Sequence, residues 1–166
     1  MNLNNFRLIA ATHTPFSSQG ELKLEVVEQQ ARHLAISGVQ GAFVGGSTGE
    51  GQSLSTGERF SLAEEWVACG KSHDLNIIVH VGSNCQKSAC QLAAHAMQIG
   101  ADAVAAHAPY FFRPNTSSEL VDYLVPIAES ASGLPFYYYD VPAATKVRLP
   151  TQDVIQLSAR RIPSFV

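Results

Sequence analysis

Charge is scarce in this 166-residue chain, with 15% of residues charged, and neither sign dominates: 11 Lys and Arg stand against 14 Asp and Glu. A net charge of −3 leaves no basic surplus to neutralise a phosphate backbone, which argues against nucleic acid as a partner. Cysteine is nearly absent too. Cys69, Cys85 and Cys90 are an odd number in a chain of ordinary composition, which does not fit a disulfide-stapled secreted fold and suits a reducing cytoplasm. No apolar run approaches the ~18 residues of a membrane span, and the polar start, Met1 to Phe6, lacks a basic segment followed by an apolar stretch of signal-peptide length. The chain therefore reads as soluble, untargeted and cytoplasmic. Linkers, charge runs and low-complexity tracts are missing as well, so one domain over 1–166 is expected.

What is present is an alternation of short apolar runs with longer stretches of helical period, the mark of βα units. Strands are predicted over Phe6–Thr12, Gly41–Gly45, Ile77–Val81, Ala103–Ala108 and Pro135–Tyr139, and Ile162–Val166 reads as the opening of a sixth. Helices are predicted between them: from Leu22 to Gly38, from Ser55 to Lys71 behind a Ser55-x-x-Glu58 capping box, and from Gln86 to Ile99 with Gly100 as a left-handed stop. A fourth, over Ser117–Ser132, contains Pro126 and should kink or break there, and a short fifth covers Thr151–Ser158. Strand starts recur at roughly 25 to 37 residues. Five βα units and the start of a sixth strand match the first two thirds of a (βα)8 barrel, which needs about 250 residues. A flavodoxin-like open sheet of five strands is the alternative, and bound flavin would be its sign.

Two stretches are candidates for chemistry, each with a plainer alternative: the first as a simple turn, the second as strand aromatics that fill a core. Gly45-Gly46-Ser47-Thr48-Gly49-Glu50-Gly51 follows a strand directly, and four glycines beside two hydroxyls can form a donor-rich nest for a small carboxylate or phosphate. No Lys follows as in a Walker loop, and the glycine spacing is not the dinucleotide fingerprint. The second stretch is Phe136-Tyr137-Tyr138-Tyr139-Asp140, where alternation sends Tyr137 and Tyr139 to one side and Tyr138 to the other. Tyr139 lies nearest the strand's C-terminal end, where a barrel keeps its catalytic groups. Glu64 and Glu65 read as an exposed helix face and Trp66 as a packing anchor. His13, His33, His73, His80, His95 and His107 show no paired spacing of a helical zinc site, and no metal is expected.

Together these motifs resemble one family, the pyruvate-dependent class I aldolases and lyases that include N-acetylneuraminate lyase and dihydrodipicolinate synthase. The likeness runs from Ala10-Ala11-Thr12-x-Thr14-Pro15-Phe16 through Gly46-Ser47-Thr48-Gly49-Glu50-Gly51, Glu58-Arg59, Ala63-Glu64-Glu65-Trp66 and Ala108-Pro109-Tyr110 to Tyr139-x-x-Pro142. It implies a (βα)8 barrel, here a truncated one, with no cofactor and no metal, working on a small 2-keto acid. Complete, such a protein would be a homo-oligomer, a tetramer. Ser47 and Thr48 match the residues that hold the pyruvate carboxylate, Tyr139 matches the tyrosine that relays a proton in carbon–carbon bond cleavage, and Thr12 and Gly46 line the same mouth. Phe111, beside Tyr110, stands where many members place a tyrosine that reaches across a subunit interface.

The family's Schiff-base lysine belongs at the end of strand six, in a Gly-x-Lys segment past Val166. None of Lys23, Lys71, Lys87 or Lys146 ends a predicted strand, so the 166-residue chain alone is expected to be inactive. Ala144 occupies the place where the synthases carry an arginine for a second carboxylate, and the Phe136–Tyr139 aromatics and Glu50–Ser55 run are similar to the animal-type sialic acid lyases. A lyase releasing pyruvate and N-acetylmannosamine is the leading expectation. A dihydrodipicolinate synthase-like enzyme, another pyruvate aldolase or dehydratase, and a non-catalytic pyruvate-binding remnant are the alternatives. Asp140 is unusual, since His or Asn is expected there.

Overall fold

The computed structural model describes residues 8–166, so Met1 to Phe6 and the first two residues of the predicted opening strand, Phe6 and Arg7, lie outside the described residues. The chain forms two compact units, Met1–Val79 and His80–Val166. Each is built from strands that pair in parallel, with helices in the connections.

In the first unit, β1 (Ile9–Ala11), β2 (Gly41–Val44) and β3 (Asn76–His80) run parallel, with Ala10 opposite Ala42 and Ala42 opposite Ile77. Gly41 is required by this spacing: a Cβ there would lie 2.8 Å from the Asn76 carbonyl oxygen. Helix α1 (Val27–Ile36) is entered through a 3-10 turn at Leu24–Val26, which buries Val27 and Ala31 one turn apart. Helix α2 (Thr56–Ser72) begins as its sequence predicts. The Ser55 Oγ accepts the Glu58 N–H, and the Glu58 carboxylate accepts the Ser55 N–H at 2.7 Å, so two orphan donors of the first turn are satisfied reciprocally. The same contacts with Ser55 hold the Glu58 carboxyl below its ordinary range.

The buried face of α2 is Arg59, Leu62, Ala63, Trp66, Val67 and Gly70, a 3.6-residue stripe around the wholly buried Trp66 ring. Glu64 is exposed, as read from the sequence, while Glu65 is half-buried and accepts from the Cys69 thiol at 3.4 Å. Burial first, then the carboxylates of Glu28 and Glu65, pushes that thiol up to about 12. Glu28 also meets His73 Nε2 at 2.6 Å, and this contact holds its carboxyl below the usual range.

In the second unit, the Val81 N–H donates to the Ala105 carbonyl at 2.7 Å, which ties the segment leaving β3 to β4 (Ala103–Ala106). Strand β5 (Phe136–Tyr138) pairs in parallel with β4, Ala105 opposite Tyr137. The predicted sixth strand is present as its first bridge: Phe136 pairs with Phe165, donating its N–H to Ser164 O at 2.8 Å and accepting from the Val166 N–H at 3.2 Å. All four residues of β4 are buried, the continuous small-apolar pattern of a parallel strand covered on both faces.

Helix α3 (Gln86–Ile99) ends at Gly100, whose φ of 82° is the left-handed stop the sequence announces. Helix α4 (Ser117–Ser130) starts at a Thr116 cap that accepts the Glu119 N–H at 3.2 Å. It runs through Pro126 without a break, so of the two outcomes expected there, a kink or a break, the break does not occur. Only one intrahelical donor is lost, that toward the Asp122 carbonyl, and the packing of Leu120, Val121, Leu124, Ile127 and Ala128 into the core outweighs it. Two features differ from expectation after β5: a four-residue helix α5 (Pro142–Thr145) is present, and α6 continues to Arg161 (Thr151–Arg161), one turn further than predicted. Arg160 and Arg161 suit the negative end of α6, and Arg161 also pairs with Asp122 of α4 at 2.5 Å.

Candidate functional site

One chemistry-bearing residue follows, or ends, every strand on its C-terminal side: Thr12 after β1, the glycine loop after β2, His80 at the end of β3, His107 after β4 and Tyr139 after β5. In a parallel βα architecture the loops at those ends are the ones free to carry chemistry.

In the first unit the glycine loop is a tightly folded turn. Gly45 has φ +69° and Glu50, a non-glycine, has φ +52°. A Cβ on Gly51 would come 1.9 Å from the Gly45 carbonyl oxygen, one on Gly49 would come 2.9 Å from the Thr12 carbonyl oxygen, and one on Gly46 would come 2.4 Å from the Phe43 ring. Gly49 and Gly51 are therefore demanded by packing of backbone on backbone, and Gly46 by the Phe43 ring. The nest expected from the sequence is partly turned inward, because the Glu50 N–H donates to Ser47 O and the Gly51 N–H to Gly46 O, both at 3.2 Å. Ser47 and Thr48 are exposed at the crest of the turn, while Gly45, Gly46, Gly49 and Gly51 are buried beneath them. Thr12 and Thr14 are buried supports. The Thr14 hydroxyl donates to Gly49 O at 2.5 Å, and Thr12 donates to Phe43 O through its N–H at 3.1 Å and its hydroxyl at 3.3 Å. Thr12 lies against the loop with its hydroxyl turned to the backbone of β2.

In the second unit Tyr139 is half-buried, and its N–H donates to Ala106 O at 2.9 Å, extending the β4–β5 ladder by one residue. Its ring meets that of His80 edge-on, with centroids 5.7 Å apart and planes at 75°. His80 in turn lies 4.8 Å from the ring of His107, and His107 lies 5.7 Å from Tyr110. Both imidazoles are buried, at 2% and 5% exposure. In the sequence these histidines stand out only as metal candidates, because 27 residues separate His80 from His107 and no local pattern carries their mutual packing or the contact with Tyr139. Among the described residues no group of three or more side chains is placed to hold a metal ion.

The other two tyrosines part from Tyr139. Tyr137 is exposed, and the Tyr138 hydroxyl donates to Asp140 at 3.3 Å. Burial first, then the neighbouring carboxylate, holds the Tyr138 proton on well above the ordinary phenol range. Asp140 also accepts from the Thr151 hydroxyl at 2.8 Å, so it ties the end of β5 to the first turn of α6, where Pro150 offers no capping side chain.

Tyr110 and Phe111 are held by one side chain, their two N–H groups donating to Asn84 Oδ1 at 2.8 and 3.0 Å. Phe111 and Phe112 are 73% and 86% exposed, with rings edge-to-face at 5.0 Å. Lys146 sits at φ +59° behind α5 and donates its Nζ to Ala143 O at 2.6 Å, the setting of a loop charge that closes a helix.

Parallel strands in βα order with functional side chains at their C-terminal ends define a (βα)8-barrel class of protein, present here as five βα units and the opening of a sixth strand. The chain belongs to the dihydrodipicolinate synthetase family, which it matches over residues 4–165. Curated relatives include the N-acetylneuraminate lyase of Homo sapiens, 43% identical over 159 residues, and N-acetylneuraminate lyase A of Xenopus laevis, 44% identical over 161. These alignments cover 95% of this chain and 50% and 52% of the relatives, so the chain spans about half the length of the curated relatives it matches. Among solved structures, the Proteus mirabilis N-acetylneuraminate lyase superposes with a TM-score of 0.92 at 35% identity, covering 96% of this chain and 53% of that one. The N-acetylneuraminate lyase of Aliivibrio salmonicida gives 0.91 at 38%, covering 96% and 52%. Among the described residues no helix is long and apolar enough to cross a membrane.

Proposed function

We propose that this chain forms the N-terminal part of a single barrel domain of an N-acetylneuraminate lyase, which cleaves a 2-keto sugar acid to pyruvate and N-acetylmannosamine. The observation that carries the reading is the 43% identity with the human lyase, sustained over 95% of the chain through both the glycine loop and the Tyr139 segment. In this reading the lysine that forms a Schiff base with the 2-keto group lies outside the 166 residues. Ser47 and Thr48, exposed on a turn that backbone packing makes rigid, hold the carboxylate next to that ketone. The rigidity lowers the ordering cost of binding. Tyr139 relays the proton between the sugar hydroxyl and the solvent side as the carbon–carbon bond breaks, acting as a hydrogen-bonded phenol rather than as a free base. Ala144 leaves no guanidinium for a second substrate carboxylate, which favours a neutral sugar aldehyde over a charged semialdehyde. In this reading the complete protein is a homo-oligomer, a tetramer, and its three free cysteines suit the cytoplasm.

Reductive trapping tests the proposal. With pyruvate and borohydride the 166-residue chain should gain no adduct, and a gene product extended past Val166 should gain one at a lysine in the extension. An adduct on Lys146, Lys87, Lys71 or Lys23 would overturn it.

A further inference from the structure

We infer that His80 and His107 are positioning residues for Tyr139, a buried imidazole pair that fixes the angle of the phenol ring and couples its setting to the protonation of the pair. The meaning of this for catalysis rests on the function proposed above; the geometry does not.

The pair is rigidly built. A carbonyl oxygen only accepts, so the 2.8 Å contact between His107 Nδ1 and Ala108 O places a proton on Nδ1 and fixes the ring's rotation. Gly82 lets the backbone pass close by: a Cβ there would lie 2.9 Å from both the His107 nitrogen of the main chain and His80 Nε2, and 3.2 Å from His107 Cγ. His80 is packed against His107 on one side and meets Tyr139 on the other, and each of the three residues stands at the C-terminal end of a different strand. Tyr139 therefore takes its ring orientation from a buried neighbour whose own orientation is set by a second buried ring. Its backbone is already pinned by Ala106.

Imidazole is the side chain whose charge changes around neutrality, and a charge added to a buried ring acts on its neighbours with little screening. Among the described ring contacts, the titratable groups that face the pair are each other, Tyr139 beyond β5 and Tyr110 in the connection after β4. Protonation of the pair puts positive charge beside the phenol that relays the proton, and shifts the ring against which it leans.

The test uses the intact protein labelled with 13Cζ-tyrosine, the Tyr139 resonance being assigned through Tyr139→Phe. Between pH 8 and 5.5 it should move in step with the imidazole signals of His80 and His107, while that of exposed Tyr137 stays put. In His107→Phe, which keeps an aromatic ring and cannot titrate, this movement should shrink at least twofold. A Tyr139 signal that is flat in the unaltered protein, or that moves in His80→Phe and His107→Phe as far as it does in the unaltered protein, overturns the inference, and the first of these needs no variant to fold. In a lyase assay, His80→Ala should lower kcat at least tenfold with the pyruvate KM within twofold, and His80→Phe should restore rate but lose the acid limb of the pH profile. Failure of the gene product extended past Val166 to trap pyruvate would strike the functional proposal and leave the spectroscopic arm intact.

Discussion

Replacing Gly51 by alanine tests whether the glycine loop is dictated by backbone packing. The added Cβ would lie 1.9 Å from the Gly45 oxygen and 2.7 Å from its carbonyl carbon. Ordinary carbon–oxygen contacts begin near ~3.3 Å, so one side of the turn must retreat by roughly 1.4 Å. The atom met is a backbone carbonyl, which cannot swing aside as a side chain would. Retreat also breaks the 3.2 Å bond from the Gly51 N–H to Gly46 O. Overpacking of this kind costs about 1–3 kcal/mol and a lost buried hydrogen bond about 1 more, a total of about 2–4 kcal/mol. For a chain of this length that lowers the melting temperature by roughly 5–15 °C. Gly57→Ala is the control. Its Cβ meets nothing within 4 Å in the first turn of α2, and alanine there should stabilise by about 0.5–1 kcal/mol. Calorimetry on the two variants decides: a Gly51→Ala protein that melts within 1 °C of the parent would refute the packing argument.

Ser55→Ala removes the capping box and should cost about 1 kcal/mol, read as a loss of melting temperature. Because the carboxyls of Glu58 and Glu28 sit below their ordinary value of 4.5, the stability they contribute is present above that pH and is lost as pH falls through their folded values. A urea midpoint that rises on acidification from pH 5 to 3 would contradict this. With iodoacetamide at pH 7.5, Cys85, exposed and with its thiol held low by Ser88, should be alkylated well before Cys69, whose thiol is pushed up to about 12. Mass spectrometry of timed samples gives the order, and equal rates would refute it. In the intact enzyme, Tyr139→Phe should lower kcat by about 10²-fold or more while pyruvate trapping persists. Loss of trapping instead would move Tyr139 from proton relay to substrate binding.

The elements whose signals are local were legible in the sequence. The Ser55–Glu58 box, the Gly100 stop and the apolar periods place α2 and α3 within a residue or two of their observed ends, since each signal is a contact between residues no more than four apart. Pro126 does not break α4, because propensity describes an isolated helix and five buried α4 side chains override it. Helix α5 escaped notice because four residues give no period to read.

The site divides along the same line. Ser47, Thr48 and Tyr139 could be named because each follows a strand whose end the sequence marks, and resemblance supplied their roles. What no local pattern carries is which side chains meet once three strands lie in register. His80 and His107 are ordinary histidines in the sequence, and they become a pair only because Val81 bonds to Ala105 and so sets the end of β3 beside the end of β4. Tyr139 joins them because its own N–H continues that ladder to Ala106. The register of a parallel sheet thus does chemical selection. A one-residue slip of β4 would turn His107 to the opposite face, and His80, against which the phenol leans, would lose the ring packed behind it.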